Sequence, residues 1–134
     1  MNLNLNGLTA LVTASTGGIG LEIARSLAIE GARVIVNGRT QSSVEKALTE
    51  LRRDLSNADL VGLAADNGTV GGCATTLSTW PQVDILVNNL GIYEAIGFFD
   101  ETDGAWQKMF EINIMSGVRL ARQYLKGMLE RGHG

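Results

Sequence analysis

Four short runs of β-branched and other apolar residues, at positions 8–13, 33–37, 59–64 and 83–88, constrain the fold of this chain more than any other feature. Each is bounded by turn residues, and each is too continuously apolar to be a strand with one wet face. Between them lie segments with a helical period: Ile19, Ile23 and Leu27 in the first, then Val44, Ala47, Leu48, Leu51 and Leu55 in the second. Strands of that kind alternating with helices call for a parallel sheet covered on both sides, an α/β doubly wound architecture.

Local signals mark the helices. Ser42, with Glu45 three residues on, forms a capping box at the start of the second. A third runs over residues 69–78, where Gly71 and Gly72 each cost roughly 1 kcal/mol relative to alanine. The fourth, over 103–131, is long and apolar on one side. On it Trp106, Met109, Met115 and Met128 read as core, and Lys108, Arg119 and Arg122 as a solvated face.

Composition excludes several classes of function. A chain of 134 residues, 45% hydrophobic and 19% charged, has room for one core. With Cys73 and His133 the sole residues of their types, neither an internal disulfide nor a Cys/His zinc cluster can form. That cysteine usage points to a reducing cytoplasm. The first basic residue is Arg25, and no apolar run approaches the ~20 residues of a membrane span, so neither export nor insertion is indicated. A net charge of -3 gives no electrostatic footprint for nucleic acid.

Seventeen glycines against one proline would be unremarked but for their placement. Residues 13–20, Thr-Ala-Ser-Thr-Gly-Gly-Ile-Gly, join the first strand to the first helix, where free N–H groups and the positive end of the helix dipole attract phosphate. Read alone this is a glycine-rich turn, and Ile23 stands where the third glycine of G-x-G-x-x-G would be. Further on, Asn88-Asn89-Leu90-Gly91 follows the fourth strand, and Asn113 lies in Glu111-Ile112-Asn113-Ile114 on the next helix.

This set, in this order and spacing, resembles the short-chain dehydrogenase/reductase family. Its members carry Thr-Gly-x-x-x-Gly-x-Gly after strand one, Asn-Asn-Ala-Gly after strand four and an asparagine in the following helix. The resemblance runs from Leu8 to the C-terminus, with two departures: Ala14 replaces the first glycine and Leu90 the alanine. It implies a Rossmann-like sheet of strand order 3-2-1-4, truncated before a fifth strand. Residues 1–134 would then be one dinucleotide-binding domain, incomplete at its C-terminus. It also implies that the pyrophosphate and its ribose lie against Ala14, Thr16, Gly17, Gly18, Ile19 and Gly20, with adenine beside Asp66 and Asn67. Family members often have an aliphatic residue where Asn67 sits. Asn89, Leu90 and Gly91 would line the ribose side. Asn113 would hold a water in the family's proton relay, while its plain alternative is a structural amide bonded to neighbouring backbone.

The end of the second strand bears on the cofactor. It reads Asn37-Gly38-Arg39-Thr40, with no carboxylate to accept from a ribose 2′-OH. Arg39 suits the 2′-phosphate of NADP, so NADP is expected over NAD; a solvated arginine is the plain alternative, and the basic residue that NADP-preferring members often carry at the position of Gly17 is absent. Tyr93 is followed four residues later by Gly97, and Tyr124 by Met128, so the family's Tyr-x-x-x-Lys is missing. The family's serine would follow a fifth strand.

The expectation is therefore an NADP-dependent oxidoreductase that, in a longer parent, reduces a carbonyl or oxidises an alcohol by hydride transfer. This chain would bind the nicotinamide dinucleotide without turning over substrate. In strand order 3-2-1-4 the fourth strand is an unguarded edge, so a homo-oligomer is expected. A non-catalytic nucleotide-binding module and an interaction fragment are the alternatives.

Overall fold

The computed structural model describes residues 2–134. In chain order it contains β1 (Thr9–Val12), α1 (Gly18–Ile29), β2 (Arg33–Gly38), α2 (Gln41–Asp54), β3 (Leu60–Ala64), α3 (Val70–Thr79), β4 (Ile85–Val87), α4 (Asp103–Phe110), a π-helical segment (Glu111–Met115) and α5 (Ser116–Arg131). The strands pair in parallel in the order β3-β2-β1-β4, as the sequence predicts, with Leu11 in register between Ile35 and Leu86.

Successive strand side chains point to opposite faces, and the chain uses both. Ala10, Val12, Val34 and Val36 meet Leu21, Ala24, Val44 and Leu51 from α1 and α2. Leu11, Ile35 and Leu63 meet Cys73 of α3 and Leu120 and Tyr124 of α5. This two-sided burial is why the strands read as apolar runs instead of alternating ones.

Three local expectations need correction. The N-cap of α2 is Thr40, whose Oγ1 accepts from the Ser43 N–H at 3.3 Å, so Ser42 lies inside the helix. Glu45 accepts from Gln41 instead of reaching back to the cap. Gly72 is required rather than tolerated: a Cβ there would collide with the backbone carbonyl of Asp66, so α3 can approach the end of β3 only through glycine. The long fourth helix is interrupted by the π segment, which breaks its phase. Trp106 is half-exposed, whereas Arg119 is largely covered and pairs with Glu111 across that segment.

Tyr124 anchors α5 to the far side of the sheet. Its ring is buried and its hydroxyl donates to the Trp80 carbonyl at 2.7 Å, at the C-cap of α3. Burial, reinforced by the nearby Cys73, pushes this phenol up from 10.0 to about 12. The neutral form is thus favoured in the folded chain. Its contribution to stability is complete below pH ~10 and is lost as pH rises from there through ~12. Tyr124→Phe should cost about 1 kcal/mol at neutral pH and flatten the alkaline part of the stability profile. Urea titrations between pH 7 and 11 on both chains check this, and parallel profiles would refute it.

Candidate functional site

The carboxyl ends of the four strands open onto a cleft of about 300 Å³. Its walls are Ala14 and Thr16 after β1, Asn37 to Arg39 at the end of β2, Ala65 to Gly68 after β3, and Leu90 to Ile92 after β4, with Ile112 from the π segment. In open α/β sheets the crevice outside these strand ends, where connections diverge to either face, is where ligands bind.

The turn from β1 to α1 is shaped by its neighbours. Thr13 is buried, and its Oγ1 accepts from the N–H groups of Asn89 and Leu90, both at 3.0 Å. The Asn89 amide donates to the carbonyls of Thr13 and Ala14, each at 3.1 Å. Gly20 packs directly beneath: a Cβ there would collide with the Ala14 carbonyl and the Asn89 amide. Ala14 has φ +51°, left-handed backbone that costs an alanine roughly 1 to 2 kcal/mol.

The start of α1 differs from those of α2, α3 and α4. Thr40, Thr69 and Thr102 each cap a helix with a side-chain hydrogen bond, whereas Gly17, the N-cap of α1, offers none. The orphan N–H groups of this first turn therefore have no side-chain acceptor at the cap. A Cβ built on Gly17 or Gly18 meets nothing within 4 Å, so the turn's outer face is open.

On the β2 side, Arg39 is exposed at the rim. Among the described residues it has no side-chain hydrogen bond and no ion pair. Asn37 behaves differently. Its carboxamide is buried and fully committed: Oδ1 accepts from the Ala14 N–H at 3.1 Å and the Asn67 amide at 3.0 Å, and Nδ2 donates to the carbonyls of Leu63 and Ala65. Beside it, Ser15 donates to the Val12 carbonyl and accepts from the Asn37 N–H.

After β3, the Asp66 carboxylate is exposed and accepts from the Gly68 N–H in a tight turn. Asn67 points inward, with its Oδ1 accepting from Thr76 at 2.6 Å. Behind it the Cys73 thiol donates to the Asn67 carbonyl, and burial pushes that thiol's pKa up. Neutral and inward-facing, it is a packing group and not a nucleophile.

Asn113 is exposed, although on a regular α-helix it would share the apolar stripe of Trp106 and Phe110. Its amide forms a reciprocal pair with the backbone of Ile92, Nδ2 donating to the carbonyl at 3.0 Å and Oδ1 accepting the N–H at 2.6 Å. The Ile92 loop is thereby fastened to the π segment.

Of the residues singled out in the sequence, Ala14, Thr16, Arg39, Asp66, Asn67, Leu90 and Gly91 line one cleft. Gly17, Gly18, Ile19 and Gly20 form the adjoining start of α1. Asn89 and Asn113 stand behind the wall and hold it. The sequence reading missed Thr13, Asn37 and Ile112. Thr13 and Asn37 were detectable as polar residues ending apolar strands; Ile112 carries no such signal.

Comparison with known proteins gives the family. The family model described as short chain dehydrogenase matches residues 8–134. Uncharacterized oxidoreductase YvaG of Bacillus subtilis (strain 168) is 53% identical over the whole chain, which covers 51% of that protein. A solved short chain dehydrogenase/reductase family protein matches with TM-score 0.89 at 40% identity, over 98% of this chain and 54% of its own. L-sorbose reductase from Gluconobacter frateurii, solved with NADPH and L-sorbose, matches with TM-score 0.87 at 32% identity, over 98% and 51% respectively. This chain belongs to the short-chain dehydrogenase/reductase family, and it spans about half the length of the curated relatives it matches.

Proposed function

We propose that this chain is the nucleotide-binding part of an NADP-dependent oxidoreductase acting on a carbonyl or alcohol. The observation that carries the reading is convergence: the Ala14–Thr16 turn, which leads into the uncapped start of α1, Arg39 and the Asp66–Asn67 turn border a single cleft. A dinucleotide needs an anion site, a 2′-phosphate partner and an adenine wall, in that arrangement. The likeness to an L-sorbose reductase solved with NADPH supports the choice of cofactor.

The chain's own residues divide the work. The open turn of Thr16, Gly17, Gly18, Ile19 and Gly20 holds the pyrophosphate with backbone N–H groups. Arg39 holds the 2′-phosphate. Asp66, Asn67 and Ile112 border the adenine, and Leu90 and Gly91 the ribose, with Asn89 fixing the turn opposite. Bound nicotinamide supplies or accepts the hydride. Asn113 sets the Ile92 loop, and its amide keeps one acceptor and one donor position open for a relay water.

No group here delivers the proton that carbonyl reduction also needs. An amide is not a usable acid, Tyr124 is buried outside the cleft lining with its hydroxyl tied to the Trp80 carbonyl, and neither tyrosine has a lysine four residues on. Binding without turnover is the expected behaviour of these 134 residues. Stopped-flow assays over a panel of carbonyl substrates test this, and robust NADPH oxidation would overturn the division of labour. In a longer parent, a tyrosine with its lysine four residues on should restore turnover.

Arg39 tests the cofactor. A charge-assisted bond to the 2′-phosphate should favour NADP over NAD by about ten- to a hundredfold, and Arg39→Ala should erase that gap. Titration calorimetry with both dinucleotides checks it; an unchanged ratio of dissociation constants would assign the preference elsewhere.

We also propose self-association. Trp106, Phe110, Ile114, Leu125 and Leu129 are each about half-exposed or more, forming an apolar stripe along α4 to α5, and β4 lies at the sheet edge. Sedimentation at high micromolar concentration should show dimers or larger species, and a clean monomer would contradict this. Among the described residues no helix is long and apolar enough to cross a membrane. The buried free thiol of Cys73 suits the reducing cytoplasm, where we place the protein.

A further inference from the structure

Ala14, which stands where the family motif carries a glycine, and Asn67, where family members often carry an aliphatic residue, meet on one atom. The Ala14 N–H and the Asn67 amide both donate to Oδ1 of Asn37, at 3.1 and 3.0 Å. Asn67 is itself held by the Thr76 hydroxyl, and Asn37 by the carbonyls of Leu63 and Ala65. Asn37, Asn67 and Thr76 are all almost fully buried, so none of these bonds is exchanged for water without cost. On its other side the Ala14 carbonyl accepts from Asn89.

Ala14 needs such a clamp. Its φ of +51° is backbone that glycine adopts freely and an alanine does not. We propose that Asn67 is a positioning residue: through Asn37 it holds Ala14 in the left-handed conformation that the missing glycine would take unaided, and so keeps the turn shaped for the dinucleotide. An aliphatic residue at position 67 would leave Asn37 Oδ1 with one donor and the Thr76 hydroxyl with no acceptor. The orientation of the Asn37 amide, set by the surrounding bonds, would then be less determined, and the Ala14 N–H would lose a fixed partner.

The proposal rests on the nucleotide-site reading for its effect on affinity, but its structural half is measurable without nucleotide. Amide hydrogen exchange at Ala14, followed by NMR on this chain, should accelerate about tenfold in Asn67→Leu. The dissociation constant for NADP should rise by a similar factor. Combining Asn67→Leu with Ala14→Gly should recover most of the loss in affinity, because glycine needs no clamp; a cycle through both single variants and the double variant reads the coupling. Thr76→Val, which breaks only the far end of the chain of bonds, should shift both readouts in the same direction by about threefold, and it serves if Asn67→Leu does not fold. Faster exchange with no NADP binding to the unaltered chain would remove the functional reading and leave the clamp standing. Unchanged exchange at Ala14, or strictly additive effects of positions 14 and 67 on affinity, would overturn the clamp.

Discussion

Four parallel strands that end side by side release backbone carbonyls and N–H groups where the sheet must also open for a ligand, and each buried one needs a partner. The Asn37 carboxamide meets that demand on the β2–β3 side of the site. Two donors converge on its oxygen and it donates to two carbonyls, so one side chain near the end of β2 ties the loop after β1 to β3 and the loop that follows it, with no capacity left over. Aspartate in its place would keep the acceptor side and present a buried carboxylate to two carbonyls, which is the unfavourable case. The absence of an acid at this strand end thus has a structural cause: residue 37 faces inward, and Arg39 is the side chain of this strand end left exposed at the cleft rim.

On the other side of β1 the same problem is solved with Thr13 and Asn89. The threonine hydroxyl accepts two N–H groups from the loop after β4, and the asparagine amide returns two bonds to the loop after β1. The cleft therefore lies between two sets of mutually bonded polar groups. Its outward-facing members, Arg39, Asp66 and the open turn at Gly17 and Gly18, are the ones left without side-chain partners across the site. Preorganisation of this kind is what the proposed binding of a charged dinucleotide requires, since the site need not first be ordered.

The sheet was legible in the sequence because two-sided burial writes itself as four apolar runs, and the strand order followed from the resemblance those runs and their glycine-rich turn support. The residues of the cleft were legible where a motif names them. What escaped is physical in origin. Thr40, and not Ser42, caps α2 because the chain leaves β2 in extended backbone at Thr40, which composition does not register. Gly72 looked like a weak point in α3; its value lies in contact with a carbonyl six residues earlier in the chain, which no helical propensity contains.

Asn113 shows why phase is the hardest thing to read. On a regular α-helix it shares a stripe with Trp106, Phe110 and Gly117. A π turn holds more residues than an α turn, so the stripe from Trp106 and Phe110 continues through Ile114 and Val118 instead, all of them exposed. That shift turns Asn113 toward the backbone of Ile92 and brings Ile112 to the cleft wall, beside Gly68. Ser116 bonds back to the Ile112 carbonyl, and the Glu111–Arg119 pair spans the widened turn. The widened turn thus serves both sides of the helix. It leaves an apolar stripe facing outward and places an amide and an apolar side chain against the site, an outcome that periodicity, which assumes a constant turn, has no means to express.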